Sequence, residues 1–361
     1  MKSVFAIFPL FVFTFLPICC IFRNENGHKR SCIMKTVKLY FTGFWEDFDN
    51  ENNLFTRILR KRYNIVIDSV DPDFLICSSL GKPYEYMNYN CPRIMYTGEF
   101  NSADFTAIDY FIGYDDIIFG DRAYRFPLFL YDVTQFTDKP LTEDEAWAIL
   151  KEKRYFCNYI FGHDTALGVR EKILEALSTY KRVECAGRHR NNMPNNLTFN
   201  MATKLPFMRQ CKFTIAAESV CYPGYTSEKI GHAFQTHTIP IYFGDPDIDK
   251  DFNEKAFLNY SRFPDVEALV DKVIEIDQND DLYIEMLCQH RYNIANYEEM
   301  KFIGLENFLF HIFDQGKEEA YRRPRYYRSY WHEVYLREYN HAVYTIPFRA
   351  CRKLGCWESD F

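Results

Sequence analysis

No Cys-x-x-Cys pair and no His/Cys grouping at zinc-ligand spacing occurs, although the chain holds 12 cysteines and 9 histidines. That removes the ordinary zinc-binding frameworks. The chain also lacks a basic excess: 43 Lys and Arg against 50 Asp and Glu leave a formal net charge of −7. A broad nucleic-acid surface would need a basic face, so no nucleic-acid partner is expected. Internal repeats and low-complexity tracts are absent, which excludes a repeat array. Cys77, Cys157 and Cys211 stand in apolar, strand-like runs, where a free thiol acts as a small hydrophobe. Disulfides would require a luminal or secreted chain.

What is present is apolar and aromatic. Hydrophobic residues make up 47% of the 361 and aromatic residues 18%, enough for two domains of ordinary size. One long hydrophobic run, 4–22, lies between Lys2 and Arg23. Its length suits a bilayer core, which takes roughly 20 helical residues. Three readings stay open: a signal-anchor, a cleaved signal peptide, or a dispensable leader ahead of a start at Met34.

From 35 to 140, short β-type runs at 37–41, 65–67, 74–77, 94–96 and 110–112 alternate with polar turns. A helical stretch at 53–63 follows the first run. This alternation predicts a Rossmann-like sheet. The charged stretch 138–152 reads as a linker, with Thr142 to Glu145 starting a short helix. A second α/β set follows: strand 155–161, helix 168–180, strand 182–186, strand 213–217, a helix opening at Thr226 to Lys229, and strand 238–243. Helices at 266–276 and 282–294 come next, then an aromatic and basic tail. Strand, loop, helix, strand is a parallel unit that binds ligands where strand carboxyl ends meet helix amino ends. Lys229 sits in a first helical turn, where the dipole disfavours a cation, so an anionic partner would account for it. Glu228 beside it suits a sugar diol. A solvated Glu-Lys pair is the plain alternative.

The stretch 212–257 resembles the donor-binding motif of the α-1,3-fucosyltransferases, glycosyltransferase family 10. The matching residues are Phe213, Ile215, Glu218, Gly224, Tyr225, Glu228, Lys229, Ile230, Ile239-Pro240-Ile241-Tyr242, Gly244, Pro246, Asp251-Phe252-Asn253 and Phe257. Ser219 stands where the family has asparagine, and Ser227 where it has threonine. In the first half, Tyr96-Thr97-Gly98-Glu99 is followed by Phe100 where the family continues with asparagine. Gly113-Tyr114-Asp115, Phe119 to Arg122 and Pro127-Leu128 continue the likeness. Phe156, Cys157, Tyr159 and Arg170 match a further segment, with Gly162-His163 replacing Ser-Asn. Gly187 and Asn191-Asn192 match the family's donor-side glycine and asparagines.

The resemblance implies an α/β protein of the GT-B type, two Rossmann-like domains facing a cleft. The divisions are 1–33 leader, 34–140 acceptor-side domain, 141–152 linker, 153–314 GDP-fucose-binding domain and 315–361 tail. It implies an inverting transfer of L-fucose from GDP-β-L-fucose to a GlcNAc hydroxyl of an N-acetyllactosamine-type glycan. Glu99 would be the catalytic base, and Arg170, Ser219, Tyr225, Glu228 and Lys229 would bind the donor. Glu218, Gly187 and Asn192 would support the donor site. No cofactor is required, with stimulation by Mn2+ or Mg2+ left open; turn formation accounts for Asp71-Pro72-Asp73 and Asp245-Pro246-Asp247. Localisation is expected at a membrane: Golgi, type II and single-pass in a eukaryote, cytoplasmic or peripheral in a bacterium. Two other readings stay open, a GDP- or glycan-binding protein without catalysis and a transferase using another nucleotide-sugar.

Overall fold

The computed structural model describes residues 34–82, 85–132, 138–163, 168–198 and 200–345. The apolar run at 4–22 lies outside them, and among the described residues no helix is long and apolar enough to cross a membrane.

The first half runs β1 (Thr36–Thr42), α1 (Leu54–Leu59), β2 (Asn64–Ile67), β3 (Phe74–Cys77), β4 (Arg93–Tyr96), β5 (Tyr110–Gly113), β6 (Ala123–Arg125) and α2 (Leu128–Asp132). Its six strands pair in parallel in the order β2-β1-β3-β4-β5-β6. β3, β4 and β5 are buried throughout, as central parallel strands must be when both faces are covered. Asn53 starts α1 with a reciprocal cap: its side chain accepts from the Thr56 N–H, and the Thr56 hydroxyl accepts from the Asn53 N–H. That cap fixes the helix start at the carboxyl edge of the sheet.

α3 (Glu143–Glu152), capped by Thr142 and Glu145, leads into the second half. There follow β7 (Tyr155–Tyr159), α4 (Val169–Ser178), β8 (Val183–Cys185), α5 (Met201–Met208), β9 (Cys211–Ala217), α6 (Glu228–Gln235), β10 (Ile239–Phe243) and β11 (Leu258–Asn259). Strand order is β8-β7-β9-β10-β11, all parallel. Each sheet therefore reverses its winding once: between β1 and β3 in the first, between β7 and β9 in the second. Ligand crevices of open α/β sheets open at such points, at the carboxyl ends of the strands.

α7 (Val266–Gln278) and α8 (Asp280–Leu287) cover the second sheet, whose core joins Cys157, Phe213 and Ile215 to Ile173, Leu269, Val273 and Tyr283. The helix expected over 282–294 ends at Leu287. Asn293 instead donates to the Phe252 carbonyl at 2.8 Å, and Tyr292 bridges to Phe252, tertiary partners that continued helix could not satisfy. α9 (Tyr297–Asp314), which the sequence groups with 153–314, packs on the first sheet: Phe313 stacks on Phe74 at 4.2 Å, and Leu305, Leu309 and Ile312 share its core. Each such fully buried side chain contributes about 1.5–3 kcal/mol. α10 (Gly316–Glu319) and α11 (Tyr327–Thr345) stay on the first half. Arg323 is fully buried and pairs with Asp109 at 2.9 Å and Glu333 at 3.0 Å.

The halves meet through Arg125 of β6. Its guanidinium grips Asp251 by two bonds of 2.9 and 2.6 Å, and also donates to the Gly224 carbonyl at 3.3 Å. Tyr297 donates to the same carboxylate. The first core continues across the junction through Ile230, Phe234, Tyr242 and Phe252.

Candidate active site

The second sheet's crevice is built on Glu218, the residue after β9. Its side chain is wholly buried. Ser227 donates to it twice, from its N–H at 2.8 Å and its hydroxyl at 2.7 Å, and Lys229 donates at 3.1 Å. Ser227 is the residue before α6, yet its hydroxyl turns to Glu218 and does not cap the helix. The amides of the first turn of α6 are left at the carboxyl end of β9, where the helix dipole favours an anion. Glu218 thus supports the site from beneath and takes no place on its surface.

Lys229 is further held by the Ser227 hydroxyl at 2.7 Å and lies 3.7 Å from Glu228. Burial opposes its charge, but the Glu218 and Glu228 carboxylates overcome that and raise its pKa well above the usual lysine range. Burial alone would also raise Glu228, and the charges of Lys229, Lys204 and His232 outweigh it, holding the carboxyl down at about 2. Both residues are therefore ionised at neutral pH, side by side at a helix start.

Arg170 belongs to the first turn of α4 and is buried. It donates to the Ala217 carbonyl at 3.1 and 3.0 Å and to the His163 carbonyl at 3.3 Å, with its guanidinium over the Phe161 ring at 4.3 Å. These contacts join the ends of β7 and β9, so Arg170 lies at the switch point of the sheet. Gly187 allows the same closeness: a Cβ there would fall 2.3 Å from the Phe161 carbonyl oxygen. Asn192 has a different task. Its amide accepts from the Cys185 N–H at 2.9 Å and donates to the Val183 carbonyl at 2.9 Å, closing the free edge of β8.

The loop between β9 and α6 is shaped by Asp245. This buried carboxylate accepts from the N–H groups of Gly224 and Asp247, both at 2.8 Å, and from the Thr226 hydroxyl at 3.3 Å. Gly224 has φ +81°, and a Cβ would meet the Tyr114 carbonyl at 2.7 Å. Tyr225 is carried into the cleft by this turn. Its hydroxyl lies 3.5 Å from that of Ser219, at the edge of hydrogen-bond range, and burial pushes its pKa up to about 12. The Asp-Pro-Asp turn was legible in the sequence; its partner 21 residues earlier was not. Asn259, in a glycosylation sequon, is buried with its amide bound to Glu254 at 3.0 Å.

Across the cleft, Glu99 lies three residues beyond the end of β4. Thr97 fixes the backbone there, its hydroxyl accepting from the Glu99 N–H at 3.1 Å. The Glu99 side chain is exposed, and its carboxylate makes no hydrogen bond or ion pair among the described residues. Phe100 packs on Tyr114 of its own half at 5.8 Å between ring centroids and on the loop between β9 and α6, at 5.1 Å from Tyr222 and 5.4 Å from Tyr225. Sequence reading noted Phe100 only as a departure; nothing local reveals that it bridges the two halves. Glu99 and Tyr225, drawn from different sheets, are thereby brought to one place.

Two family models cover most of the chain: the α-(1,3)-fucosyltransferase FucT N-terminal domain over residues 39–132, and the glycosyltransferase family 10 (fucosyltransferase) C-terminal domain over residues 150–307. The chain is 29% identical over 295 residues to the α-(1,3)-fucosyltransferase FucT of Helicobacter pylori, covering 71% of this chain and 60% of that relative. It is 36% identical over 93 residues to α-(1,3)-fucosyltransferase B of Drosophila melanogaster, which is 26% of this chain and 21% of that one. A crystal structure of an α1,3-fucosyltransferase with GDP superposes with a TM-score of 0.66 at 25% identity, over 82% of this chain and 95% of the other. Two parallel sheets with a cleft between them, as in the GT-B fold, and matches to both halves lead to one assignment. The chain belongs to glycosyltransferase family 10, the fucosyltransferases.

Proposed function

We propose that the protein transfers L-fucose from GDP-β-L-fucose to a GlcNAc hydroxyl of an N-acetyllactosamine-type glycan, in α-1,3 linkage and with inversion. One observation carries this reading: an unpaired carboxylate, Glu99, faces across a cleft a cluster of buried Arg170 and part-buried Lys229 and Glu228 at a sheet switch point. The α-1,3-fucosyltransferases it resembles support the choice of sugar and donor.

In that mechanism Glu99 accepts the proton of the acceptor hydroxyl as its oxygen attacks the anomeric carbon from the face opposite GDP. The bond to the β-phosphate oxygen breaks with its electron pair, and negative charge grows on the departing diphosphate. Lys229, Arg170 and the first amides of α6 stabilise that charge. Glu228 accepts from the ribose diol, and Tyr225 with Ser219 closes the pocket. Because the second half supplies its own positive charge, a divalent cation is read as a stimulant and not a requirement. Membrane association through the 4–22 run is part of the same reading.

A second reading, a GDP- or glycan-binding protein without turnover, draws on Ser219, whose hydroxyl reaches Tyr225 at only 3.5 Å where the family has an amide. Incubation with GDP-fucose and N-acetyllactosamine separates the two. Release of GDP with an α-1,3-fucosylated product, and tighter binding of GDP than UDP, is expected. GDP binding with no transfer to a panel of galactosides and GlcNAc-ended glycans would reject the transferase reading.

A further inference from the structure

A cavity of about 150 Å3 opens beside the start of α1, walled by Trp45, Phe48, Asp49, Asn52, Arg57 and Tyr131. Pockets for drug-sized ligands span roughly 300–1,000 Å3, so this one suits a single ring better than a nucleotide. Its wall is rigid. The Trp45 indole meets Phe48 edge-on at 5.0 Å and 88°, and Tyr131 at 5.7 Å and 83°, and remains 38% exposed. The rim is polar. One Asp49 oxygen accepts from the N–H groups of Glu51 at 2.8 Å and Asn52 at 3.1 Å. The other Asp49 oxygen, the Asn52 amide, the Arg57 guanidinium and the Trp45 indole N–H have no side-chain partner among the described residues. An aromatic plate ringed by unused donors and acceptors matches a pyranose, whose C–H face packs on an indole while its hydroxyls both give and take hydrogen bonds.

The cavity lies on the cleft side of the molecule. The start of α1 follows β1 and so stands at the carboxyl edge of the first sheet, the edge that also carries Glu99. Tyr131 stacks on Tyr96 at 5.1 Å, three residues before Glu99. α2, which bears Tyr131, comes so near that a Cβ at Gly98 would meet Leu128 at 2.7 Å.

The geometry points to this cavity as the subsite for a sugar ring of the glycan acceptor, with Trp45 as its platform. The assignment deepens the transfer reading above, and only the word acceptor rests on it. The test is saturation-transfer NMR of N-acetyllactosamine and the galactoside and GlcNAc-ended panel, with GDP present, on wild type, Trp45→Ala, Trp45→Phe and Arg57→Ala. GDP affinity serves as the check of folding, and acceptor KM is measured alongside. Trp45→Ala is expected to weaken glycan binding and raise acceptor KM about tenfold, with Trp45→Phe restoring most of both and GDP affinity within twofold throughout. Glycan binding that depends on Trp45 without any transfer would keep the subsite and reject the transfer reading. Transfer with KM indifferent to Trp45, or no glycan bound by the wild type, overturns the subsite.

Discussion

The two sheets share a winding pattern, each with its switch point after the first strand, yet they furnish their crevices differently. In the second, buried charges satisfy one another: Glu218 takes bonds from Ser227 and Lys229, and Arg170 spans the ends of β7 and β9. In the first, the edge is aromatic and open, with Glu99 unpaired and Trp45 and Phe100 part-exposed. A half built from interlocked charges is preorganised for one ligand and pays for errors heavily. Under the proposed function, a half that offers one free carboxylate among aromatic plates would accept different glycans with small adjustments. The donor would therefore be fixed by rigidity and the acceptor by surface.

The comparison breaks most severely at Glu218. Glu218→Ala removes the buried partner of a part-buried lysine, and breaking a buried pair costs about 3–5 kcal/mol; because Lys229 is 21% exposed, the lower end is expected. A Tm drop of several degrees with lost GDP binding is the expected result, and an unchanged Tm would show that the charges are not interlocked. Arg125→Met tests the join between halves: it leaves Asp251 buried with only Tyr297 to satisfy it, and should cost about 3 kcal/mol in denaturant unfolding. Equal stability would mean that the aromatic core alone holds the halves together.

A smaller effect is expected in acid. Glu228 has its folded pKa held at about 2, below its ordinary value of 4.5, so its ionisation favours the native state above pH 4.5. The unfolded chain binds more protons between those values, and stability falls as pH drops through that window. Glu228→Gln should flatten this part of the stability–pH curve; an unaltered slope would remove Glu228 from the interlocked set. The smallest effect is expected at the bridge. Phe100→Asn removes ring contacts of a side chain that is 42% exposed, so Tm should fall only slightly and kcat several-fold, with GDP affinity little changed. A fall in GDP affinity alone would show that Phe100 serves the loop between β9 and α6 only.

The elements that carry apolar runs were legible. β1 to β5, β7, β9 and β10 fall where the sequence places them within a residue or two, because parallel strands need continuous apolar stretches. β6 was not, since Ala123–Arg125 is half-buried and polar, and α5 was not, since Pro206 lies inside it. The site shows the same limit. Lys229 and Glu228 announced themselves by standing at a helix start. The tasks of Glu218, Asp245, Asn192 and Phe100 depend on partners in other elements, and no local pattern encodes them.

The division of labour between the halves is tested most directly by measuring kcat and GDP affinity together for Glu99→Gln and Lys229→Ala. Glu99→Gln should lose about 10²–10⁴ in kcat, the usual contribution of general base catalysis, while binding GDP as the wild type does. Lys229→Ala should lose GDP affinity. If Glu99→Gln turns over normally, or if it loses GDP binding as Lys229→Ala does, the assignment of base to one half and donor to the other is wrong.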